Sequence, residues 1–145
     1  MNESDVWMAK AAIAELITRY AKLNDAGDWE AVAALYTADG RMSRPVAPDD
    51  FIVGRPAILA AFRARPRRAS RHIVANIVVE LETENRAGAS SQILLFTGTP
   101  KEASALAVLS VSPPLVGTFD DQLVKTAAGW RFAVRRGKLD FQPPG

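Results

Sequence analysis

Cysteine is absent from this 145-residue sequence, and histidine occurs once, as His72. The lack of cysteine excludes disulfide bonds and thiolate ligands. A single imidazole leaves a zinc site only carboxylates to complete its coordination. We therefore expect no metal ion in the functional site.

Long hydrophobic runs are also missing, and none approaches the ~18 to 20 apolar residues of a membrane span. The first residues after Met1 are polar or acidic. We expect no membrane partner and interpret the chain as a soluble, cytoplasmic protein. The formal net charge of +2 provides no overall field that favours nucleic acid, so nucleic acid is not an expected partner either.

Positive charge is nevertheless concentrated in one short segment around Pro66. Such a cluster suits a phosphate or an acidic substrate, but it equally suits a solvated helix end, where the helix dipole favours cations. No aromatic residues interleave with the cluster, which further weakens a nucleic-acid role. Its members are Arg63, Arg65, Arg67, Arg68 and Arg71.

The first third of the chain predicts two consecutive helices. Apolar residues recur at three- and four-residue steps from about Asp5 to Asn24, and a second helix is predicted from Trp29 to about Tyr36. Gly27 can adopt the left-handed conformation that ends a helix, and Asp28 can cap the next one. Tyr20 and Asp25 are thereby placed at a helix corner beside the predicted core.

The next segment predicts a turn over 37–40, a short strand over 41–43 and a loop over 44–50. Residues 51–53 are expected to pair with that strand. A third helix is predicted to start near Pro56 and to end at Pro66, with Ile58, Leu59 and Phe62 buried.

From Ser70 onward the pattern predicts sheet: strands over 70–81, 92–97 and 130–141, and one long strand over 106–126 broken by Pro113-Pro114. The intervening turns are predicted at 85–88 and 128–129, with a loop over 98–104. Strict alternation defines two faces of the first strand. One face carries His72, Val74, Asn76 and Val78, and the other carries Ile73, Ala75, Ile77, Val79 and Leu81.

Helices followed by a meander of strands indicate a single α+β domain over residues 1–145, with the sheet curving around the helices. Both sheet faces are largely apolar. An antiparallel sheet of this kind is typical of a protein whose outer face is covered by another subunit. We therefore expect a homodimer or homotrimer.

The order of short motifs along the chain is distinctive. Arg19-Tyr20 precedes Asp25, and then follow Asp28-Trp29, LYTADG at 35–40, Gly54-Arg55, SRHIVAN at 70–76, GTFDD at 117–121 and GWRF at 129–132. This order resembles the SnoaL-like branch of the NTF2-like superfamily over nearly the whole chain. The resemblance implies a cystatin-like, cone-shaped α+β barrel in which three N-terminal helices pack on a strongly curved mixed sheet around a deep apolar pocket.

The resemblance also implies a catalytic pair. Dehydratase and dehydrochlorinase members of the superfamily use an aspartate at the end of helix one and a histidine on the first long strand, and Asp25 and His72 stand at the matching places. A neutral imidazole can take a proton while a carboxylate fixes its tautomer, so no cofactor is needed. Tyr20 and Asn76 are the candidate substrate-binding residues. We expect pairing with Asp25 to outweigh burial and to raise the pKa of His72.

Each assignment has a structural alternative. His72 can be a hydrogen-bonded structural residue, Tyr20 can be core packing, and Asn76 can satisfy backbone groups. Ideal helix geometry of ~100° per residue places Asn24, rather than Asp25, on the apolar stripe. Asp25 can therefore cap a helix or face water.

Two functions of different class follow from the sequence. The first is a cofactor-independent lyase or isomerase, dehydratase-like, that acts on a small, largely apolar cyclic or aromatic molecule. The second is a noncatalytic ligand-binding or oligomerisation module, including an accessory subunit of a ring-hydroxylating dioxygenase. The scytalone dehydratase-type second histidine is missing, and Tyr20 stands where the dehydrochlorinase type has a basic residue, so neither substrate carries over.

Overall fold

A computed structural model describes residues 1–99, 105–110, 113–142 and 144. Helix α1 spans Glu3–Ala26 and α2 spans Trp29–Ala34. As predicted, α1 ends at Gly27, whose φ of 71° is left-handed, and the Asp28 carboxylate accepts a hydrogen bond from the Ala31 amide at 3.3 Å. These two caps set the corner between the helices.

Strand β1 spans Tyr36–Arg44, β2 spans Ala47–Val53, and α3 spans Arg55–Arg63. The predicted pairing of 51–53 with 41–43 is confirmed, because Met42 lies opposite Ile52. The predicted turn over 37–40 and most of the predicted loop over 44–50 are wrong, since both segments are strand. Turn-forming residues such as Asp39 are tolerated there because their side chains are exposed to water.

The remaining strands are β3 (Ala69–Thr83), β4 (Arg86–Thr99), β5 (Val108–Leu109), β6 (Leu115–Thr126) and β7 (Gly129–Leu139). The sheet order is β2-β1-β7-β6-β4-β3, with β5 paired to β4. Among the strands that the structure describes, β1 and β7 are the one parallel pair, so the sheet is mixed. It is open rather than closed into a barrel. Parts of the predicted 98–104 loop and 106–112 strand lie outside the described residues.

Two β-bulges change which side chains face the helices. In β3 the register against β4 shifts between Ala75 and Val78, and Asn76 has a φ of 52°. In β7, Val134 lies opposite Gln122 but Phe132 lies opposite Leu123, so Ala133 is the extra residue. Because an extra residue inverts the alternation beyond it, strict two-residue periodicity fails on both strands.

The predicted faces of β3 are therefore wrong beyond Asn76. Val79 is 8% exposed and belongs to the core, whereas Val78 is 58% exposed. Ile77 and Leu81 pack against the same core as Val74. Strand β3 thus turns two side chains inward before the bulge, His72 and Val74. After the bulge it turns Ile77, Val79 and Leu81 inward.

The core lies between the helices and the concave face of the sheet. Helix α1 packs on β3 and reaches β7, and Trp29 at the start of α2 stacks on Phe62 of α3 with ring centroids 5.3 Å apart. Ile58 and Phe62 are fully buried, as predicted. This arrangement leaves a concavity between α1 and the middle strands.

Candidate functional site

A cavity of about 340 Å³ opens between α1 and the concave sheet face. That volume suits a molecule of one or two rings, because pockets for small ligands start near 300 Å³. Its inner wall is mainly apolar and comes from α1 and from β1, β3, β4 and β6. Representative members are Ile17, Met42, Val74, Ile93, Leu95 and Phe119.

Asp25 joins the end of α1 to the start of β3. Its Oδ1 accepts a hydrogen bond from Ser70 Oγ at 3.0 Å and lies 2.6 Å from His72 Nδ1. Its Oδ2 accepts the backbone N–H of His72 at 2.8 Å. The alternative in which Asp25 caps a helix or faces water is therefore wrong. Asn24 does lie on the apolar stripe and lines the cavity, while the next residue reaches β3.

His72 is 11% exposed by its side chain and forms part of the cavity wall. The bond to Asp25 favours the tautomer that carries the proton on Nδ1, which leaves the Nε2 lone pair as the basic site. Among the described residues, Nε2 has no hydrogen-bond partner. The predicted contact between His72 and Asp25 is confirmed.

The expected direction of the His72 pKa is wrong. Burial lowers this pKa below its ordinary value, and the hydrogen bond and charge of Asp25 oppose that effect without overcoming it. Arg68 and Arg65 lower the pKa further. Desolvation prevails because the ring is enclosed on several sides while the carboxylate touches only one. The imidazole is consequently neutral near pH 7, which is the form a base requires.

Tyr20 lines the cavity, but its hydroxyl is engaged within the core. The Tyr20 and Tyr36 hydroxyl oxygens lie 2.9 Å apart, and the Tyr20 hydroxyl also points at Met42 Sδ at 3.7 Å. Burial raises the pKa of both tyrosines. The structure thus places Tyr20 with an aromatic ring facing the cavity and a phenol that is already hydrogen-bonded.

Asn76 is not in the cavity, contrary to the sequence expectation. Its side chain is exposed and donates a hydrogen bond to Gln92 Oε1. The reason is the bulge, which places Asn76 in the left-handed conformation and directs its side chain to the outer face. We therefore withdraw Asn76 as a substrate-binding residue.

Arg135 is the residue that the sequence reasoning missed. It lines the cavity although it is only 1% exposed, and its guanidinium lies 3.9 Å from the Phe119 ring centroid and 4.3 Å from that of Tyr20. Alternation from Phe132 placed it on the opposite face, and the bulge at Ala133 returns it to the inner one. An arginine inside a run of strand residues was the available signal.

Arg135 is backed by a buried carboxylate. Its Nε lies 3.1 Å from Asp121 Oδ1, and burial raises the pKa of Asp121 to about 6 against the opposing influence of Arg135. Neither Asp121 oxygen has an aligned hydrogen bond from the described residues. The cavity wall thus carries an imidazole backed by Asp25 and a guanidinium backed by Asp121.

Within the described part of the chain, no three histidine, aspartate or glutamate side chains converge in a way that suits a metal ion. None of the described helices is long and apolar enough to cross a membrane.

Fold and site together define an NTF2-like protein with a ligand cavity. The chain belongs to the SnoaL-like domain family, whose model matches residues 7–136. This confirms the resemblance drawn from the sequence motifs. No curated protein matches the chain.

Solved structures agree on the fold. A protein from Novosphingobium aromaticivorans, provisionally named a scytalone dehydratase, is 22% identical with a TM-score of 0.79, over 97% of this chain and 89% of that chain. A type 2 hexachlorocyclohexane dehydrochlorinase (LinA) is 13% identical with a TM-score of 0.80, over 99% of this chain and 94% of that chain. A provisionally named aromatic ring hydroxylase from Novosphingobium aromaticivorans is 18% identical with a TM-score of 0.74, over 95% of this chain and 93% of that chain. At these identities the likeness establishes the fold alone.

Proposed function

We propose that this protein is a cofactor-independent lyase or isomerase that acts on a small, largely apolar cyclic or aromatic molecule. The observation that carries the proposal is the 2.6 Å contact between His72 Nδ1 and Asp25 Oδ1 at the wall of a cavity whose inner lining is mainly apolar. The activities named for two similar structures, a scytalone dehydratase and a dehydrochlorinase, are of the same class.

In the proposed reaction His72 Nε2 accepts a proton from a substrate carbon that lies beside a carbonyl or a leaving group. Asp25 stabilises the imidazolium that forms. The electron pair of the broken C–H bond moves into a new double bond. Where the neighbouring carbon carries a leaving group, that group departs as halide, or as water once the imidazolium has given its proton to it, which gives a lyase. Return of the proton from the imidazolium to another atom of the substrate gives an isomerase.

Arg135 is suited to the negative charge that develops during this step. Its guanidinium is desolvated and faces the cavity, and a fixed cation in such a place stabilises an enolate oxygen or a departing anion. We assign the ring of Tyr20 to the surface on which the substrate packs. Its edge-to-face contacts with Tyr36 and Phe132 hold that ring in place.

Hydrogen exchange tests proton abstraction by itself, whatever group leaves afterwards. We expect the wild type to exchange the α-hydrogens of bicyclic ketones such as 1-tetralone in D₂O faster than buffer does, as followed by NMR. His72→Ala should lose this acceleration. Arg19→Ala, a surface change on α1, is the control and should retain it. Equal exchange in His72→Ala and wild type would refute the assignment of the base.

The second candidate function is an accessory subunit of a ring-hydroxylating dioxygenase, or another noncatalytic binding module. It is favoured by the similar structure named as an aromatic ring hydroxylase. Co-expression with a catalytic dioxygenase subunit would support it if the two chains co-purify in fixed stoichiometry and no exchange activity is found.

We also propose that the chain associates with itself through the outer sheet face, although fewer apolar side chains lie on that face than the sequence predicts. Of the apolar band expected from the sequence, Ile77, Val79 and Leu81 face inward, so only Ile73 remains outside. Ile73 lies opposite Leu94 and Leu94 lies opposite Val116, which makes an apolar row across three strands. The cytoplasmic location expected from the sequence stays a prediction, which cell fractionation would test.

A further inference from the structure

Three arginines surround the solvent end of the His72 cavity. Arg44 ends β1, and Arg65 and Arg68 lie between α3 and β3, yet all three line this cavity. Val46 and Pro66, which stand close to them in the sequence, are exposed, whereas Ile17 and Met42 of the same cavity are buried. The cavity therefore has a cationic mouth and a mainly apolar interior, in which His72 and Arg135 are ionisable groups.

Several surface arginines of this chain have a carboxylate partner. Arg63 pairs with Glu30, and Arg136 pairs with Asp49. Among the described residues, no carboxylate forms an ion pair with Arg44, Arg65 or Arg68. The two nearby aspartates are committed elsewhere, Asp25 to His72 and Ser70, and Asp121 to Arg135.

The groups that contact Arg44 and Arg65 are neutral: backbone and amide oxygens, and the ring of Phe62, whose centroid lies 4.5 Å from Arg65 Cζ. Arg44 Nη2 donates to the Ala61 carbonyl at 3.0 Å, and its Nε is buried without a hydrogen-bond partner among the described residues. Among the residues that the structure describes, Arg65 has one hydrogen bond, from its Nη1 to Asn24 Oδ1 at 3.5 Å. Burial, followed by repulsion from Arg44 and Arg68, lowers the pKa of Arg65 to about 10. An anion bound at this point would offset both the burial of the Arg65 charge and the repulsion among the three arginines.

We propose that the cavity binds an organic carboxylate of one or two rings, with the carboxylate at the mouth against Arg44, Arg65 and Arg68 and the ring among the apolar residues inside. Planar guanidinium groups match a carboxylate through paired hydrogen bonds, which makes arginine the suitable residue here. The proposal names the substrate class of the function proposed above and rests on it only in taking the His72 cavity as the ligand site.

Matched probes test the charge requirement. We expect 2-naphthoate to bind at least about tenfold more tightly than the neutral 2-naphthamide, because charge-assisted hydrogen bonds are lost with the amide. Calorimetry measures the affinity, and the ring signals of the single histidine report whether the probe occupies this cavity. Equal affinity for the two probes, the absence of binding by either, or equally tight binding of inorganic phosphate would overturn the proposal.

Single substitutions locate the carboxylate. Arg65→Met should weaken naphthoate binding by about tenfold or more and leave naphthamide unaffected. Arg67→Met removes the same charge from an exposed residue that does not line the cavity, so its affinity should stay within about twofold. Should Arg65→Met fail to fold, Arg68→Met, which changes an exposed side chain, takes its place. An equal loss in Arg67→Met contradicts the assigned site.

Binding and turnover separate the two proposals. The preference for naphthoate should persist in His72→Ala, which lacks the base. If it does persist while no protein variant accelerates exchange, the carboxylate site stands and the proposed reaction falls. If exchange is accelerated but the preference for carboxylate is absent, the reaction stands and the substrate class is wrong.

Discussion

The protonation state of His72 depends on the balance between burial of the imidazole and the charges of the residues around it. Desolvation, Arg65 and Arg68 favour the neutral ring, and Asp25 favours the charged one. The balance lowers the pKa of His72 below its ordinary value. A lowered pKa keeps the proposed base unprotonated over a wider pH range, while the Asp25 carboxylate would still stabilise the imidazolium that proton abstraction forms.

An NMR titration of the only histidine checks this balance. We expect a midpoint below about 6.5 in the wild type, and a still lower midpoint in Asp25→Asn, because that change removes the carboxylate that favours the charged ring. Ser70→Ala is the control, since it removes a neighbouring hydrogen bond and no charge. An unchanged midpoint in Asp25→Asn would show that the pair is not coupled.

The lowered pKa of His72 also predicts how the exchange activity and the stability depend on pH. Catalysed exchange should rise with pH through the lowered His72 pKa and then level off. For stability, the unfolded chain binds the additional proton between the lowered pKa and about 6.5. The contribution of His72 to the free energy of unfolding is therefore fully present above that window and declines as the pH falls through it.

At the scale of elements, two one-residue insertions into strands decide the composition of the cavity. The bulge at Asn76 sends that side chain outward, and the bulge at Ala133 returns Arg135 to the inner face. Each also bends its strand, which a sheet that curves around three helices requires. The site therefore depends on backbone irregularities as much as on residue identity.

The strain at Asn76 makes the first bulge testable. Its φ of 52° is left-handed, a conformation that asparagine and glycine tolerate and that costs β-branched residues about 1–2 kcal/mol. We expect Asn76→Val to lower the free energy of unfolding by about that amount in urea titrations and Asn76→Gly to have a smaller effect. Ala75→Val, at an exposed neighbour with ordinary backbone angles, should be nearly neutral. Equal stability of Asn76→Val and wild type would argue against the bulge.

At the scale of the whole molecule, the outer face of the sheet exposes apolar side chains to solvent. Ile73 is 46% exposed and Leu94 37% exposed, and the adjoining positions Asp120 and Lys138 supply charges of both signs on the same face. A face that combines apolar residues with opposite charges can pair with a copy of itself about a twofold axis. We therefore propose a second copy of this chain as its partner.

Light scattering across a dilution series checks the association. The wild type should remain oligomeric at micromolar concentration, and Leu94→Lys should dissociate, because it places a charge in the middle of the apolar row. Val53→Lys is the matched control, since Val53 is an exposed apolar residue on β2, away from that row. A wild type that is monomeric at all these concentrations contradicts the proposed interface.

The sequence by itself determined the features that depend on local chemistry. The helix corner followed from Gly27 and Asp28, and the α+β order followed from the change of periodicity at Ser70. The pairing of Asp25 with His72 was implied by the resemblance to SnoaL-like proteins. Tertiary structure decided which side chains enter the cavity and how they ionise. A bulge shifts alternation by one residue without a clear sequence mark, which is why Asn76 was misplaced and Arg135 was missed. The expected direction of the His72 pKa was wrong because the burial of the ring, which only the folded structure reveals, outweighs the effect of Asp25.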